Sequence, residues 1–129
     1  MSDMEEIKHY SPAEEKTNII SHAIGLVLSI IALVLLVTRA NLYGDTLQLV
    51  SASIFGMSLI TLYAASTFYH SAQDPGLRAR LRIIDHATIY VLIAGTYTPL
   101  ALLSLGGTTG WVIFSVAWAM ALTGITLKV

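Results

Sequence analysis

The chain has no cysteine. That excludes a disulfide framework and a thiolate metal site, leaves the redox compartment open, and requires any metal to be held by histidine and carboxylate. Charge is also scarce: Asp, Glu, Lys and Arg make up 12% of the 129 residues, about half the roughly 25% usual in soluble domains. None of these four residue types occurs in residues 17–38, 46–73 or 86–127. Low-complexity tracts and convincing internal repeats are missing too, so the chain reads as one bundle rather than several domains. With a formal net charge of −1, it is not expected to have a nucleic-acid partner.

What fills the space is apolar, at 55% of residues. A helix needs about 20 such residues to cross the hydrocarbon of a bilayer. The first two uncharged stretches therefore hold one span each, near residues 19–37 and 47–69. The third is long enough for two. Its natural break is the turn-forming run Leu105-Gly106-Gly107-Thr108-Thr109-Gly110, which leaves spans near 84–104 and 111–127. Pro99 is expected to kink or end the third helix early. The fold class is thus an all-α, polytopic membrane bundle, with a tail over residues 1–16 and the bundle over 17–129. A cleaved secretory signal would need a basic leader directly before a shorter apolar core. Here the leader carries Asp3, Glu5, Glu6, Glu14 and Glu15, so the first run is expected to remain as a span.

Four spans put the N-terminal tail, the loop over residues 71–82 and the C-terminal end on one side of the membrane. That side holds Lys8, Lys16, Arg78, Arg80, Arg82 and Lys128, against Arg39 alone on the other. An excess of Lys and Arg marks the cytoplasmic side, so the N-terminus is expected in the cytoplasm. Tyr43 and Trp111 then fall at the outer boundary, where aromatic belts lie. Arg78, Arg80 and Arg82 act most simply as a topological anchor, in reach of anionic lipid.

An ionisable residue inside a bilayer is costly and is a functional hypothesis by default. Nearly all such residues fall at the cytoplasmic end. Glu15, Asn18, His22, Gly25 and Ser29 follow steps of three and four along one face of the first helix. Ser66 and His70 share a face at the end of the second, and Asp85 and His86 open the third. Because helix 1 begins, helix 2 ends and helix 3 begins on the same side, these groups lie at similar depth and can meet. An Asp facing a His in low dielectric, with Ser in hydrogen-bond reach, suits a metal site with supporting partners. The competing reading is structural: polar residues within a turn of the interface also cap helices, bond between helices or snorkel to water. His86, about 100° round the helix from Asp85, suits an interfacial or supporting role, and His9 lies in the polar tail with no claim.

Other patterns carry less. The glycine run at 106–110 lacks the Lys-Ser/Thr of a phosphate loop, and Ser53, Gly56, Thr88, Gly95 and Thr98 are ordinary small contacts between membrane helices. Ser66, His70 and Asp85 have the residue types of a nucleophilic triad, but Ser and His one turn apart on one helix leave little room for a substrate between them.

Taken together, Glu15-x-x-Asn18-x-x-x-His22, the run Ser66-Thr67-Phe68-Tyr69-His70 and the block from Asp85-His86 through Gly95 to Pro99 resemble the bacterial hemolysin III family. That family is related to the adiponectin and progestin receptors and to alkaline ceramidases. The resemblance runs from about Glu14 to Lys128. It implies a seven-helix protein of the bacterial plasma (inner) membrane with a buried zinc near the cytoplasmic face, acting as a metal-dependent hydrolase on lipid amides. It also implies that His70 is a zinc ligand, that Asp85 holds the water on the zinc, and that Ser66 supports the site; Glu15, Asn18, His22 and His86 are, by type and position, candidates for supporting or packing groups. The family pattern has a His-x-x-x-His pair on its last helix, and this sequence contains none. The expectation is therefore an N-terminal four-helix portion whose partners are membrane lipids and the remaining helices of the same protein. One imidazole and a water-mediated carboxylate fall short of a three-ligand catalytic site, so the chain alone is expected to be inactive and to bind zinc weakly or not at all. A cytolytic or pore-forming protein, and a sensor of membrane state without turnover, remain open alternatives.

Overall fold

The structure, a computed structural model, describes residues 10–128; Asp3, Glu5, Glu6, Lys8 and His9 of the sequence reading lie outside them. Four α-helices follow one another: α1 over Pro12–Tyr43, α2 over Thr46–Ser71, α3 over Pro75–Pro99 and α4 over Gly107–Lys128, with a π-helical segment at Leu100–Leu105. No strand occurs among the described residues. All four are long and apolar enough to cross a membrane, the third when counted through Leu105.

The helix starts are written locally. Ser11 caps α1 by accepting from the Glu14 N–H at 3.1 Å, with Pro12 in the first turn, where its missing N–H costs nothing. Asp45 opens α2 in a reciprocal capping box with Gln48, at 2.8 and 3.2 Å. Asp74 caps α3 ahead of Pro75, accepting from Leu77 N–H at 2.9 Å. These caps leave only short connections, Gly44-Asp45 and Ala72-Gln73-Asp74, so consecutive helices run antiparallel and each packs against its chain neighbours.

Several bounds differ from the sequence expectation. Helix α1 begins at Pro12, inside the expected tail, because Ser11-Pro12 is a helix-start signal that hydropathy ignores. The expected loop at 71–82 shrinks to three residues, since Asp74-Pro75 starts α3 early and makes Arg78, Arg80 and Arg82 helical. The expected break at 105–110 narrows to Gly106: it and Gly107, at φ 65° and 60°, take the left-handed turn, and α4 starts there. Pro99 does end the α-helical pattern of α3, because it has no N–H to continue it. The chain passes into the π turn, closed by Gly106 N–H on Ala101 O at 3.0 Å.

Burial is inverted relative to a soluble bundle. Small and hydroxyl residues are inside, among them Ser29, Ser51, Gly56, Ser58, Ala65, Ala94, Gly95, Ala101, Gly110 and Ala121. Large apolar residues such as Val34, Leu35, Ile93, Val116, Met120 and Leu122 face outward. Lipid solvates them as well as protein would, so helix association rests on close approach. Gly25 lies against the Tyr63 ring, Gly56 against Leu33, Gly95 against Ser58, and Gly110 against the Ala101 carbonyl. Across the α3–α4 contact the Trp118 indole N–H donates to Thr98 Oγ1 at 3.0 Å, and Thr98, fully buried, donates to Ala94 O at 2.8 Å.

Gly110→Val places a branched side chain against the Ala101 backbone, which cannot yield as a side chain would. It is expected to lower stability by about 1–3 kcal/mol, measured as a lower unfolding midpoint in detergent. Ser115→Ala, on the exposed side of α4, should leave the midpoint unchanged.

Candidate functional site

The polar stripe of α1 is its buried side. Glu15, Asn18, His22 and Gly25 are half-buried and Ser29 is buried, while Glu14, Lys16, Thr17, Ser21 and Ile24 are exposed. It faces the C-terminal end of α2, where Ser66, Tyr69 and His70 are buried at 5%, 4% and 7% exposure. The N-terminal third of α3 completes the neighbourhood with half-buried Arg78, Asp85 and His86.

Three helices thus bring two imidazoles, a hydroxyl and a carboxylate together. The Ser66 hydroxyl shares a hydrogen bond with His22 Nδ1, and Asp85 is in electrostatic reach of His22, His70 and His86, with Ser66 nearby. The His22 and His70 rings are 5.6 Å apart. His70 is braced by Tyr69 at 4.8 Å and Tyr10 at 5.4 Å. Its Nδ1 lies 3.4 Å from Glu15 Oε2.

Ser66 therefore pairs across helices with His22 rather than with His70 on its own helix. Helical geometry explains this: a hydroxyl four residues before an imidazole projects from the same face, and both reach for the neighbouring helix instead of each other. His86 does not join the cluster by hydrogen bond. Its Nδ1 bonds the Arg82 carbonyl at 2.7 Å, one turn back on its own helix. Asn18 makes no hydrogen bond with the cluster and lines an open cavity of about 330 Å³ with Tyr10, Glu14 and Thr17.

Arg78 is the residue whose role a charge count conceals. Rather than standing free as an anchor, its Nη1 lies 2.5 Å from Glu15 Oε1. It also donates to Tyr69 O and Ala72 O at 3.2 Å and to His70 O at 3.5 Å, and its guanidinium lies 4.6 Å from the Tyr69 ring centre. A signal did exist: Glu15 on a buried face needs a cation, and Arg78 is the first one after the second span. Beside this group lies an open cavity of about 380 Å³, lined by Tyr10, Glu15, His70, Gln73 and Arg78 among others.

Zinc needs at least three protein donors in a catalytic site. Among the described residues no three of His, Cys, Asp or Glu come together closely enough to hold a metal ion. His22 Nδ1 is taken by Ser66 and His70 Nδ1 is turned to Glu15, which leaves only the Nε2 atoms of these rings to a metal. The donors among the described residues by themselves fall short of a zinc site.

A family model described as Haemolysin-III related matches residues 10–129. The "Hemolysin-3 homolog" of Bacillus subtilis (strain 168) is 48% identical over 116 residues, covering 90% of this chain and 54% of that protein. "Hemolysin-3" of Bacillus cereus is 41% identical over 116 residues, covering 90% of this chain and 53% of its own length. The chain thus spans about half the length of the curated relatives it matches. No solved structure matches it. Matched by that model over residues 10–129, this multi-pass helical chain belongs to the Haemolysin-III related family.

Proposed function

We propose that the chain forms part of a lipid hydrolase of the bacterial plasma membrane, whose working groups are His22, Ser66, His70 and Asp85 at the cytoplasmic end of α1, α2 and α3. The observation that carries this reading is their convergence from three helices in an otherwise apolar bundle. Polar groups at such positions are expensive and kept for function or for tight pairing. Asp85 and Ser66 would hold and orient the attacking water, with Asp85 accepting its proton. The open cavity beside His70 gives a polar headgroup a way in, while the acyl chain stays among lipid.

Zinc belongs to this proposal as the cofactor of a protein of the relatives' full length, with His70 as one donor. When bound, it supplies Lewis acidity toward water and carbonyl. The chain alone is expected to retain far less than one zinc per molecule in metal analysis after purification; stoichiometric, tightly held zinc would overturn the incomplete-site reading.

In a protein of full family length, fatty-acid release from ceramide-like lipids is expected to fall at least about 100-fold in His70→Ala and in Asp85→Asn. Absence of release across a panel of lipid amides and esters counts against the hydrolase. The printed names of the relatives raise a lytic reading. A water-filled pore wants polar stripes along whole helices, whereas the hydroxyls deeper in this bundle, such as Ser29, Ser53 and Ser58, bond carbonyls of their own helices. Dye leakage from liposomes at low protein concentration would favour lysis over hydrolysis.

The N-terminal end of α1 is proposed to face the cytoplasm. Since there is no native cysteine, Gln73→Cys should be blocked by an impermeant thiol reagent only in inverted vesicles or opened cells, and Asn41→Cys in intact spheroplasts. The opposite pattern reverses the orientation.

A further inference from the structure

The two oxygens of the Glu15 carboxylate have different partners: Oε1 faces Arg78 Nη1 at 2.5 Å and Oε2 faces His70 Nδ1 at 3.4 Å. We propose that Glu15 is a positioning residue for His70, holding its imidazole as the Nδ1–H tautomer so that Nε2 is presented bare, as an acceptor or ligand atom.

At the end of α2 the Ala72 N–H is shared by the Phe68 and Tyr69 carbonyls, the carbonyls beyond them have no helical partner, and a cation is favoured there. Arg78 fills that place, its Nη1 within hydrogen-bond distance of the Tyr69, His70 and Ala72 carbonyls and its guanidinium over the Tyr69 ring. An arginine held by three carbonyls and a ring has little freedom left, so it fixes in turn the carboxylate with which it pairs. Side chains at both ends of that pair are mostly buried, at 17% and 20% exposure.

A carboxylate accepts hydrogen bonds and donates none. A neutral imidazole has one N–H, and the partner of one ring nitrogen decides where it sits. Against Glu15 that hydrogen belongs on Nδ1. This reverses the tautomer that free histidine favours in water, and it leaves the Nε2 lone pair available on the other edge of the ring. Tyr69 and Tyr10 limit rotation of the ring from its flanks. Carboxylate–histidine pairs of this kind orient working imidazoles and raise their basicity. Glu15 acts only through His70.

The inference rests on the reading of His70 as a working group, but it is tested without turnover, so either can fail alone. The full chain is labelled with ring-15N histidine and studied by NMR in detergent at about pH 8.5, where an ordinary imidazole is neutral. The His70 signals are assigned by their loss in His70→Gln. The expected result is a proton on Nδ1 and a bare Nε2. In Glu15→Ala the proton should shift largely to Nε2 with helical circular dichroism retained, while Ser66→Ala, which removes the His22 partner instead, should leave His70 unchanged. A proton on Nε2 in the unaltered chain overturns the proposal, whether or not Nδ1 also carries one. So does an unchanged tautomer in folded Glu15→Ala. Should Glu15→Ala not fold, the spectrum of the unaltered chain still decides.

Discussion

Inside hydrocarbon a backbone N–H or C=O has no water to bond, and leaving one unpaired costs several kcal/mol. Nearly everything in this structure follows from that constraint. The backbone is helical from Pro12 to Lys128 apart from three short turns, and the one place where the α pattern fails, after Pro99, is taken up by a wider turn rather than a loop. Most side-chain hydroxyls obey it as well, the fully buried Ser51 Oγ being without a partner among the described residues. Thr61, Thr67, Thr96, Thr123 and Thr126 each donate to the carbonyl four residues back, which satisfies them without a neighbour.

Because isolated polar groups are absorbed so readily into their own helices, the ones that reach across stand out. Trp118 on Thr98 is one such contact, near the π turn, where it joins α3 to α4. The others gather at the opposite end of the bundle: Ser66 with His22, and Glu15 with both His70 and Arg78, with Asp85 in electrostatic reach. They join α1, α2 and α3 where apolar packing has least to offer, since lipid competes equally for large apolar side chains. Small residues at the helix contacts allow the backbones close enough for short polar side chains to meet, so packing and site share one cause.

The number of spans, their order and the end at which chemistry collects were legible from composition, because the absence of charge over whole stretches and the spacing 15, 18, 22, 25, 29 depend only on hydrocarbon thickness and helical period. Helix bounds were less legible. Hydropathy reports which residues tolerate lipid, whereas Ser11-Pro12 and Asp74-Pro75 start helices by hydrogen bonding and fixed φ, in polar sequence. The similar depth of His70, Ser66 and Asp85 was readable from their positions on successive helices. The pairing of Ser66 with His22, the withdrawal of His86 to Arg82 O and the use of Arg78 on Glu15 were not.

The sequence by itself thus determined that this is a multi-span helical membrane protein with nearly all its ionisable groups at one end, because bilayer thickness and the 3.6-residue period act on the chain one segment at a time. Only the tertiary structure decided which of those groups touch. Rotation and close approach of neighbouring helices depend on contacts between residues far apart in sequence, such as Gly25 on Tyr63 and Gly95 on Ser58. Those contacts set the partners of His22 and His70 and placed an arginine counted as an anchor beside the carboxylate that holds an imidazole.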